Sequence, residues 1–314
     1  MEVSISKIIG KYELVSKIGR GSTADVWSAI HKDTKEKVAL KIYAKVQHLD
    51  EVATIMFEQE FKKSQQFSHP NILKAIDYFI FDKTPILVLP ICEGCLEKNL
   101  MAKKIACLES DNNHNLTFNN EEIMNIIKQI ASGLALLHDK GIIHNDIKPA
   151  NIVYITDQND KKQYFITDFG ISLEIKTLVK NENKNKLASA KTVVYASPEK
   201  LEGNYTEPKS DIFSLGVVIY ELAGGKDMTI VPGEIIRKGG VLKIDNGNIS
   251  ADVQKLMQMC LINDYQKRPT SKDIVTFLDH HDKFGILPQE PKNILIKWVQ
   301  NLQQIFSKFN YINH

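Results

Sequence analysis

Two short polar motifs on either side of a predicted β-hairpin constrain the fold more than any other feature of this chain. His144–Asn151 contains an aspartate, a lysine and an asparagine, and Asp168 opens the second motif. Between them, Ile152–Ile166 is an apolar stretch interrupted by the polar residues Asp157–Lys162, which is the pattern of two strands joined by a turn. Because a hairpin returns the chain to the edge where it began, the sequence predicts that the two motifs lie side by side.

The residue types in these motifs match the requirements of phosphoryl transfer. In that reaction the protein does little covalent work; it holds a nucleotide and an acceptor hydroxyl in line and neutralises the spread charge. Asp146 would accept the hydroxyl proton, and Lys148 would lie against the moving phosphate. Asn151 and Asp168 would hold two magnesium ions through hard oxygen ligands, and Mn²⁺ could substitute. The four residues together predict a site for ATP and Mg²⁺.

The two motifs resemble those of the protein kinase family, whose catalytic loop reads H-R-D-x-K-x-x-N and whose metal loop reads D-F-G. Four further stretches match the family's motifs in the family's order. Gly19–Val26 resembles the glycine-rich loop, with alanine in place of the third glycine, and Val38–Lys41 resembles the third-strand lysine motif. Tyr195–Glu199 differs by one residue from the A-P-E motif, and Ser210–Gly216 resembles the family's next core helix. The resemblance covers 12–278 and indicates the eukaryotic-type serine/threonine class.

The resemblance implies an α+β, bilobal protein kinase-like fold. Its N-terminal lobe would contain a five-stranded antiparallel sheet and helix C, and its C-terminal lobe would be mainly helical. The hydrophobic pattern agrees with this expectation, because apolar residues alternate over Tyr12–Ile42 and take helical spacing over Val52–Phe67. A long amphipathic helix is predicted from Glu121, with Asn119 or Asn120 as its N-terminal cap.

We expect four segments along the chain. They are an N-terminal extension at 1–11, the N-terminal lobe at 12–91, the C-terminal lobe at 92–282 and a tail at 283–314. In the tail, apolar residues recur on one face of a predicted helix between Leu295 and Phe309. This helix would either pack onto the helical lobe or make a regulatory contact, whether with a calmodulin-like partner or as an autoinhibitory segment, and the pattern leaves these interpretations open.

The resemblance also assigns site residues. The catalytic residues would be Asp146, Lys148, Lys41 and Glu60, with Glu60 as the helical partner of Lys41 and Glu58 as the alternative partner. The residues expected to bind the nucleotide and its metal are Ile18, Gly19, Gly21, Val26, Ala39, Lys41, Leu89, Pro90, Cys92, Asn151 and Asp168. Leu89 corresponds to the gatekeeper, and the backbone groups of Pro90 and Cys92 would face the adenine edge. Elsewhere, Arg268 would pair with Glu199.

Asn145 departs from the family pattern. It stands where many kinases have an arginine that pairs with a phosphate on the activation segment, and a neutral amide cannot supply that charge-assisted contact. We therefore expect activity to depend little on phosphorylation of Thr177, Ser189 or Thr192. Lys148, two residues after Asp146, resembles the serine/threonine class, so the acceptors would be Ser and Thr hydroxyls of proteins.

Composition agrees with an intracellular enzyme and excludes several other classes. The net charge of +2 over 314 residues provides no basic field for nucleic-acid binding. Four cysteines are too few for a secreted disulfide scaffold, and Cys92 and Cys95 are expected to be hinge residues rather than metal ligands. No apolar run reaches the roughly 18 residues that span a bilayer, so we expect no membrane insertion and a cytoplasmic location.

Two other functions fit parts of the same inventory. A catalytically inactive, nucleotide-binding pseudokinase scaffold would keep the fold, although the retention of Lys41, Asp146, Asn151 and Asp168 favours an active enzyme. A small-molecule phosphotransferase shares the spacing of acid and asparagine. Such enzymes generally lack a long segment between the metal loop and an A-P-E-like anchor, which here runs from Asp168 to Glu199, so a protein acceptor is favoured.

Overall fold

The computed structural model describes ten stretches of the chain. They are 8–20, 24–43, 58, 61–62, 65–109, 118–168, 193–203, 206–225, 231–244 and 247–284, without the side chains of 107–109 and 282–284. The boundary between two compact units falls between Val275 and Thr276, within the last described helix. Gly21, Glu60, Thr177, Ser189, Thr192 and the predicted tail helix lie outside the described residues.

One antiparallel sheet dominates the N-terminal part of the chain. Its strands are β1 (Ile8–Ile9), β2 (Tyr12–Arg20), β3 (Ala24–His31), β4 (Lys37–Tyr43), β5 (Asp77–Phe81) and β6 (Thr84–Pro90), in the order β1-β2-β3-β4-β6-β5. The sheet has one strand more than expected, because Ile8 and Ile9 pair with Glu13 and Tyr12. A turn at Gly10, which has a φ of +58°, makes this pairing possible.

The two central strands of the sheet are buried almost throughout. In β4 and β6 apolar residues follow one another instead of alternating with polar ones, as expected for strands covered on both faces. Leu40 and Ile86 have no exposed surface. Lys41 lies within the buried strand β4, and its charged side chain is only 7% exposed. The strand therefore fixes the direction of this side chain.

The C-terminal part of the chain is mainly helical. Its helices, within the described residues, are α1 (Leu96–Glu109), α2 (Asn120–Asp139), α3 (Pro198–Gly203), α4 (Pro208–Leu222), α5 (Pro232–Arg237), α6 (Ala251–Cys260) and α7 (Ser271–Phe284). This combination of an antiparallel sheet and a helical part confirms the predicted α+β class. Within the described ranges, no helix has both the length and the apolar character needed to cross a membrane.

The predicted long amphipathic helix is α2. Asn119 caps it, because its side chain accepts a hydrogen bond from Glu122 N at 2.8 Å while the Glu122 carboxylate accepts one from Asn119 N at 3.0 Å. The buried face of α2 contains the apolar residues that define its period, namely Ile123, Ile126, Ile127, Ile130, Leu134 and Leu137. Helix α4 is buried around most of its circumference, so it forms the centre of the helical part.

The predicted hairpin between the two polar motifs is confirmed. β8 (Ile152–Thr156) pairs with β9 (Lys162–Ile166), and the short strand β7 (Gly94–Cys95) completes a three-stranded sheet. Asn71 attaches the hairpin to the N-terminal part: its backbone carbonyl accepts from Ile166 N at 2.9 Å, and its side chain donates to Tyr164 O at 2.9 Å. The end of β9 is thereby held at a fixed place, immediately before Asp168.

Candidate active site

The catalytic loop brings three of the predicted site residues into direct contact. Lys148 Nζ donates to both carboxylate oxygens of Asp146, at 2.9 and 3.0 Å. Asn151 Nδ2 donates to the backbone carbonyl of Asp146 at 2.8 Å and to its Oδ2 at 3.1 Å. Asp146 and Lys148 are partly exposed, with 17% and 19% of their side chains accessible. The carboxylate is therefore oriented by two neighbours and still reaches solvent, as a group that meets a substrate must.

A short 3-10 turn places Asn151 at the base of the hairpin. The turn spans Pro149–Asn151, and its proline needs no hydrogen-bond partner for its nitrogen at that position. The Asn151 carbonyl accepts from Thr167 N at 3.0 Å, which joins the turn to the residue before Asp168. The metal-binding candidates Asn151 and Asp168 are thus neighbours, as the sequence predicts.

Lys41 and Asp168 meet across the boundary between the sheet and the hairpin. They form an ion pair, and Asp168 adopts the left-handed backbone conformation with a φ of +68°. Aspartate tolerates this conformation better than most residues. Glu60, the predicted partner of Lys41, lies outside the described residues. Glu58, the alternative partner, forms an ion pair with Lys62 at 2.6 Å, one helical turn away.

His144 has a structural position beneath the site. Its Nδ1 accepts from Asp146 N at 3.2 Å, and its Nε2 lies 3.0 Å from the carbonyl of Thr167. Since Nδ1 acts as the acceptor, we assign the proton to Nε2, which then donates to Thr167. The ring is buried, with 3% exposure, and links the catalytic loop to the metal loop.

Asp211 on α4 supports the catalytic loop from below, and sequence reasoning did not assign it this role. Its carboxylate accepts from the backbone nitrogens of His144 and Asn145, each at 2.8 Å, and lies 3.0 Å from His138 Nε2. The side chain is 1% exposed. The available signal was a charged residue inside an otherwise apolar helix, because such a residue needs several hydrogen-bond partners when it is buried.

The predicted nucleotide-binding residues of the sheet lie around one apolar cluster. Ala39 and Leu89 are buried in it, and Ile18, Val26 and Cys92 pack against it. Val153 of β8 packs against the same cluster from the helical side, a contact that the sequence analysis missed. Apolar side chains of this kind, at the meeting of a sheet and a hairpin, suit contact with a flat heteroaromatic ring such as adenine.

The hinge after β6 carries the remaining nucleotide candidates. Pro90 is the last residue of β6, and the Cys92 thiol lies 3.8 Å from its carbonyl. Burial raises the pKa of Cys92 to about 11, and the nearby Glu93 charge acts in the same direction. Cys92 and Cys95 are free thiols. Gly19 lies near the end of β2, beside Val26 of β3.

Glu199 and Arg268 form the predicted pair behind the A-P-E-like motif. Two parallel hydrogen bonds of 2.8 Å join the guanidinium to both carboxylate oxygens, and Ser210 Oγ donates to Glu199 at 2.6 Å. Burial by itself would raise the pKa of Glu199. The hydrogen bonds from Arg268 and Ser210 and the Arg268 charge outweigh burial and lower this pKa to about 2. The pair anchors the end of the segment that begins at Asp168.

Two of the residues present fit the binding of Mg²⁺ together with a nucleotide. Among the described side chains, no group of three or more His, Cys, Asp or Glu could hold a metal ion. Asn151 uses its amide nitrogen on Asp146, which turns the amide oxygen to the other side. That oxygen and the Asp168 carboxylate are hard ligands, and Mg²⁺ commonly combines one or two of these with phosphate oxygens and water.

Comparisons with known proteins agree with this geometry. The family model described as "Protein kinase domain" matches residues 12–280. Probable serine/threonine-protein kinase PknB of Lactococcus lactis is 29% identical over 228 residues, which cover 71% of this chain and 33% of the relative. Calcium-dependent protein kinase 5 of Plasmodium berghei is 32% identical over 266 residues, which cover 82% of this chain and 43% of the relative. Serine/threonine-protein kinase PrkC of Bacillus subtilis is 31% identical over 220 residues, which cover 70% of this chain and 31% of the relative.

The chain spans less than half the length of these three relatives. Its match to the family model nevertheless includes the hairpin and every described element from β2 through most of α7. Two of the three relatives are named as serine/threonine kinases, in agreement with the class that the motifs indicate. The chain belongs to the protein kinase family.

Proposed function

We propose that this chain is an ATP-dependent serine/threonine protein kinase that transfers the γ-phosphate of Mg·ATP to Ser and Thr hydroxyls of protein substrates. The observation that carries the proposal is the arrangement of two groups of charged and amide side chains. Asp146 is in contact with Lys148 and Asn151, and Lys41 pairs with Asp168. These are the groups that phosphoryl transfer needs, and apolar side chains suited to contact with adenine, such as Ala39, lie on the same strand as Lys41.

Each residue has a role that follows from its chemistry. Asp146 is the catalytic base and accepts the proton of the acceptor hydroxyl. Lys148, at 2.9 Å from that carboxylate, neutralises charge as the phosphoryl group moves. Asn151 and Asp168 hold two Mg²⁺ ions, for which Mn²⁺ can substitute. Lys41 holds the nucleotide phosphates, with Glu60 as its partner. Bound Mg·ATP supplies the phosphoryl group.

The apolar cluster around Ala39 supports binding of the adenine ring. Ala39 and Leu89 are buried in it, and Val153 of the hairpin packs against it. At the hinge, the backbone carbonyl of Pro90 and the backbone of Cys92 provide polar contacts for the adenine edge, and the missing N–H of proline does not matter where a carbonyl is used. Gly19 and Gly21 allow the backbone to approach the phosphates.

Two features support a protein acceptor with Ser or Thr hydroxyls. Lys148 follows Asp146 at the spacing of the serine/threonine class, and relatives carry serine/threonine kinase names. The Glu199–Arg268 pair anchors a segment of about thirty residues after Asp168, which is long enough to form a platform for a polypeptide substrate. A small-molecule acceptor would not need such a platform.

The proposal also includes a regulatory partner at the predicted tail helix and a cytoplasmic location. The apolar face between Leu295 and Phe309 supports the first part. Removal of the residues after Leu287 tests it: raised activity of the shortened chain supports an inhibitory contact, whereas insoluble protein supports a packing role.

Phosphate incorporation from γ-labelled Mg·ATP tests the proposed activity. The purified chain and its Asp146→Ala variant are incubated with casein as a general acceptor, and labelled products are hydrolysed to amino acids. We expect label on Ser and Thr that disappears in the variant. Absence of label from the unaltered chain, despite measurable ATP binding, would contradict the proposal and favour a pseudokinase scaffold.

A further inference from the structure

Lys200 connects the helix after the A-P-E-like motif to the catalytic loop. It is the third residue of α3 and directly follows Glu199. Its Nζ lies 2.8 Å from the backbone carbonyl of Asn145 and 3.4 Å from the Oδ1 of the same residue. An ammonium that donates to a carbonyl makes a charge-assisted hydrogen bond, which is about twice as strong as a neutral one. The contact joins a cation directly to the residue before Asp146.

Asn145 is held in a conformation that its own backbone does not favour. Its φ is +67°, in the left-handed region, where Asn is tolerated but still disfavoured. Such conformations persist when surrounding contacts determine them. For Asn145 these are the bond from its nitrogen to Asp211 at 2.8 Å, the bond from Lys200 to its carbonyl and a bond of 3.3 Å from its Nδ2 to Thr206.

The backbone of α3 that carries Lys200 is fixed by the neighbouring Glu199. Glu199, its neighbour in α3, is fixed by two hydrogen bonds to Arg268, and Arg268 is 2% exposed. A lysine side chain is flexible, so its ability to hold a loop depends on a fixed backbone and a short bond. Both conditions are met here. The position of Asn145 is therefore tied to the helix that ends the activation segment.

We infer that Lys200 is a positioning residue for the proposed phosphoryl transfer. By binding the carbonyl of Asn145, it fixes the peptide that leads into Asp146 and so directs the carboxylate toward the acceptor. The inference rests on the proposed function. The inference also explains how the catalytic loop is held although Asn145 is neutral. The cation comes from Lys200 of α3, so the contact forms without a phosphate on the chain.

Substitution of Lys200 separates positioning from folding. Lys200→Met removes the donor and keeps the apolar stem, and Lys200→Arg keeps a donor. Lys209→Met is the matched control, because Lys209 Nζ also donates to a backbone carbonyl at 2.8 Å, that of Gln266, away from the catalytic loop. We measure kcat with casein, KM for ATP and the melting temperature of the full chain for each variant.

We expect Lys200→Met to lower kcat about tenfold with KM for ATP and the melting temperature close to those of the unaltered chain, since a misdirected base slows transfer without weakening nucleotide binding. Lys200→Arg should recover part of the lost rate, because it keeps a cationic donor, and Lys209→Met should leave all three quantities unchanged.

Two results would overturn the inference. One is an unchanged kcat in Lys200→Met. The other is a loss of activity that is matched by a fall in melting temperature and a rise in KM for ATP, because Lys200 would then act through the fold. Failure of the proposed function is distinguishable from both, because it would appear as an inactive unaltered chain.

Discussion

Removal of the buried guanidinium at Arg268 gives a sharp test of how the helical part is held together. Arg268 donates to Glu199 through two bonds of 2.8 Å and to the carbonyls of Ile262, Lys209 and Asn263 at 2.6, 3.1 and 3.0 Å. The guanidinium also lies over the Phe213 ring. Arg268→Met would leave a buried carboxylate and three carbonyls without this donor. Breaking a buried pair in this way costs about 3–5 kcal/mol.

Thermal unfolding of the full chain, followed by circular dichroism, measures this loss. For a domain of this size each kcal/mol corresponds to about 2–4 °C, so the melting temperature should fall by about 10 °C. Arg237→Met is the matched control. Its side chain is 37% exposed and pairs with Glu234 at 2.7 Å, so its removal should leave the melting temperature almost unchanged. Equal, small shifts in both variants would refute the reasoning.

Three further predictions concern acid stability, close packing and the edge of the proposed nucleotide site. The pKa of Glu199 is about 2 in the folded chain against an ordinary value of 4.5, so the contribution of its ionised form to the free energy of unfolding, about 3 kcal/mol, is present above pH 4.5 and is lost as the pH falls toward 2. The urea unfolding midpoint of the Glu199→Gln variant should therefore depend less on pH in this window. An unchanged pH dependence would contradict the lowered pKa of Glu199. A Cβ at Gly133 in α2 would lie 2.9 Å from the backbone carbonyl oxygen of Asn71, whereas one at Gly203 would meet nothing within 4 Å. Gly133→Ala should therefore lower the free energy of unfolding in urea by about 1–3 kcal/mol, and Gly203→Ala should lower it by almost nothing. Equal losses in the two variants would be inconsistent with this packing. Lys98 Nζ donates to the backbone carbonyl of Ile18 at 2.7 Å, an exposed contact. Lys98→Met should therefore raise KM for ATP about twofold and leave kcat unchanged. An unaltered KM would show that this contact does not help to shape the proposed nucleotide site.

Local pattern was enough to predict the parts of the fold that depend on neighbours in sequence. The alternation and the polar break within 152–166 predicted the hairpin that places Asn151 beside Asp168. The three-and-four spacing after Glu121 predicted α2, and the structure decides between the two candidate caps in favour of Asn119. The hairpin depends on one turn and the helix on one periodic pattern. The residues that determine each element therefore lie close together in the sequence.

Contacts between distant segments could not be derived in the same way. Asp211 supports a loop 66 residues earlier in the chain, and nothing in its local sequence names its partners. Val153 alternates like any strand residue, and only the meeting of β8 with the sheet brings it against the cluster that contains Ala39 and Leu89. The bond from Lys200 to Asn145 likewise depends on where α3 lies. Strand β1 was missed because two residues are too short for a periodic signal.

The central claim is that Asp146 performs the chemistry while Lys41 and Asp168 belong to nucleotide binding. It is tested most directly by measuring ATP affinity and single-turnover phosphate transfer on the same preparations of Asp146→Ala, Lys41→Ala and the unaltered chain. The account predicts that Asp146→Ala binds Mg·ATP with nearly unchanged affinity and transfers no phosphate, and that Lys41→Ala misplaces the phosphates and also loses transfer. Transfer that persists in Asp146→Ala would contradict the account.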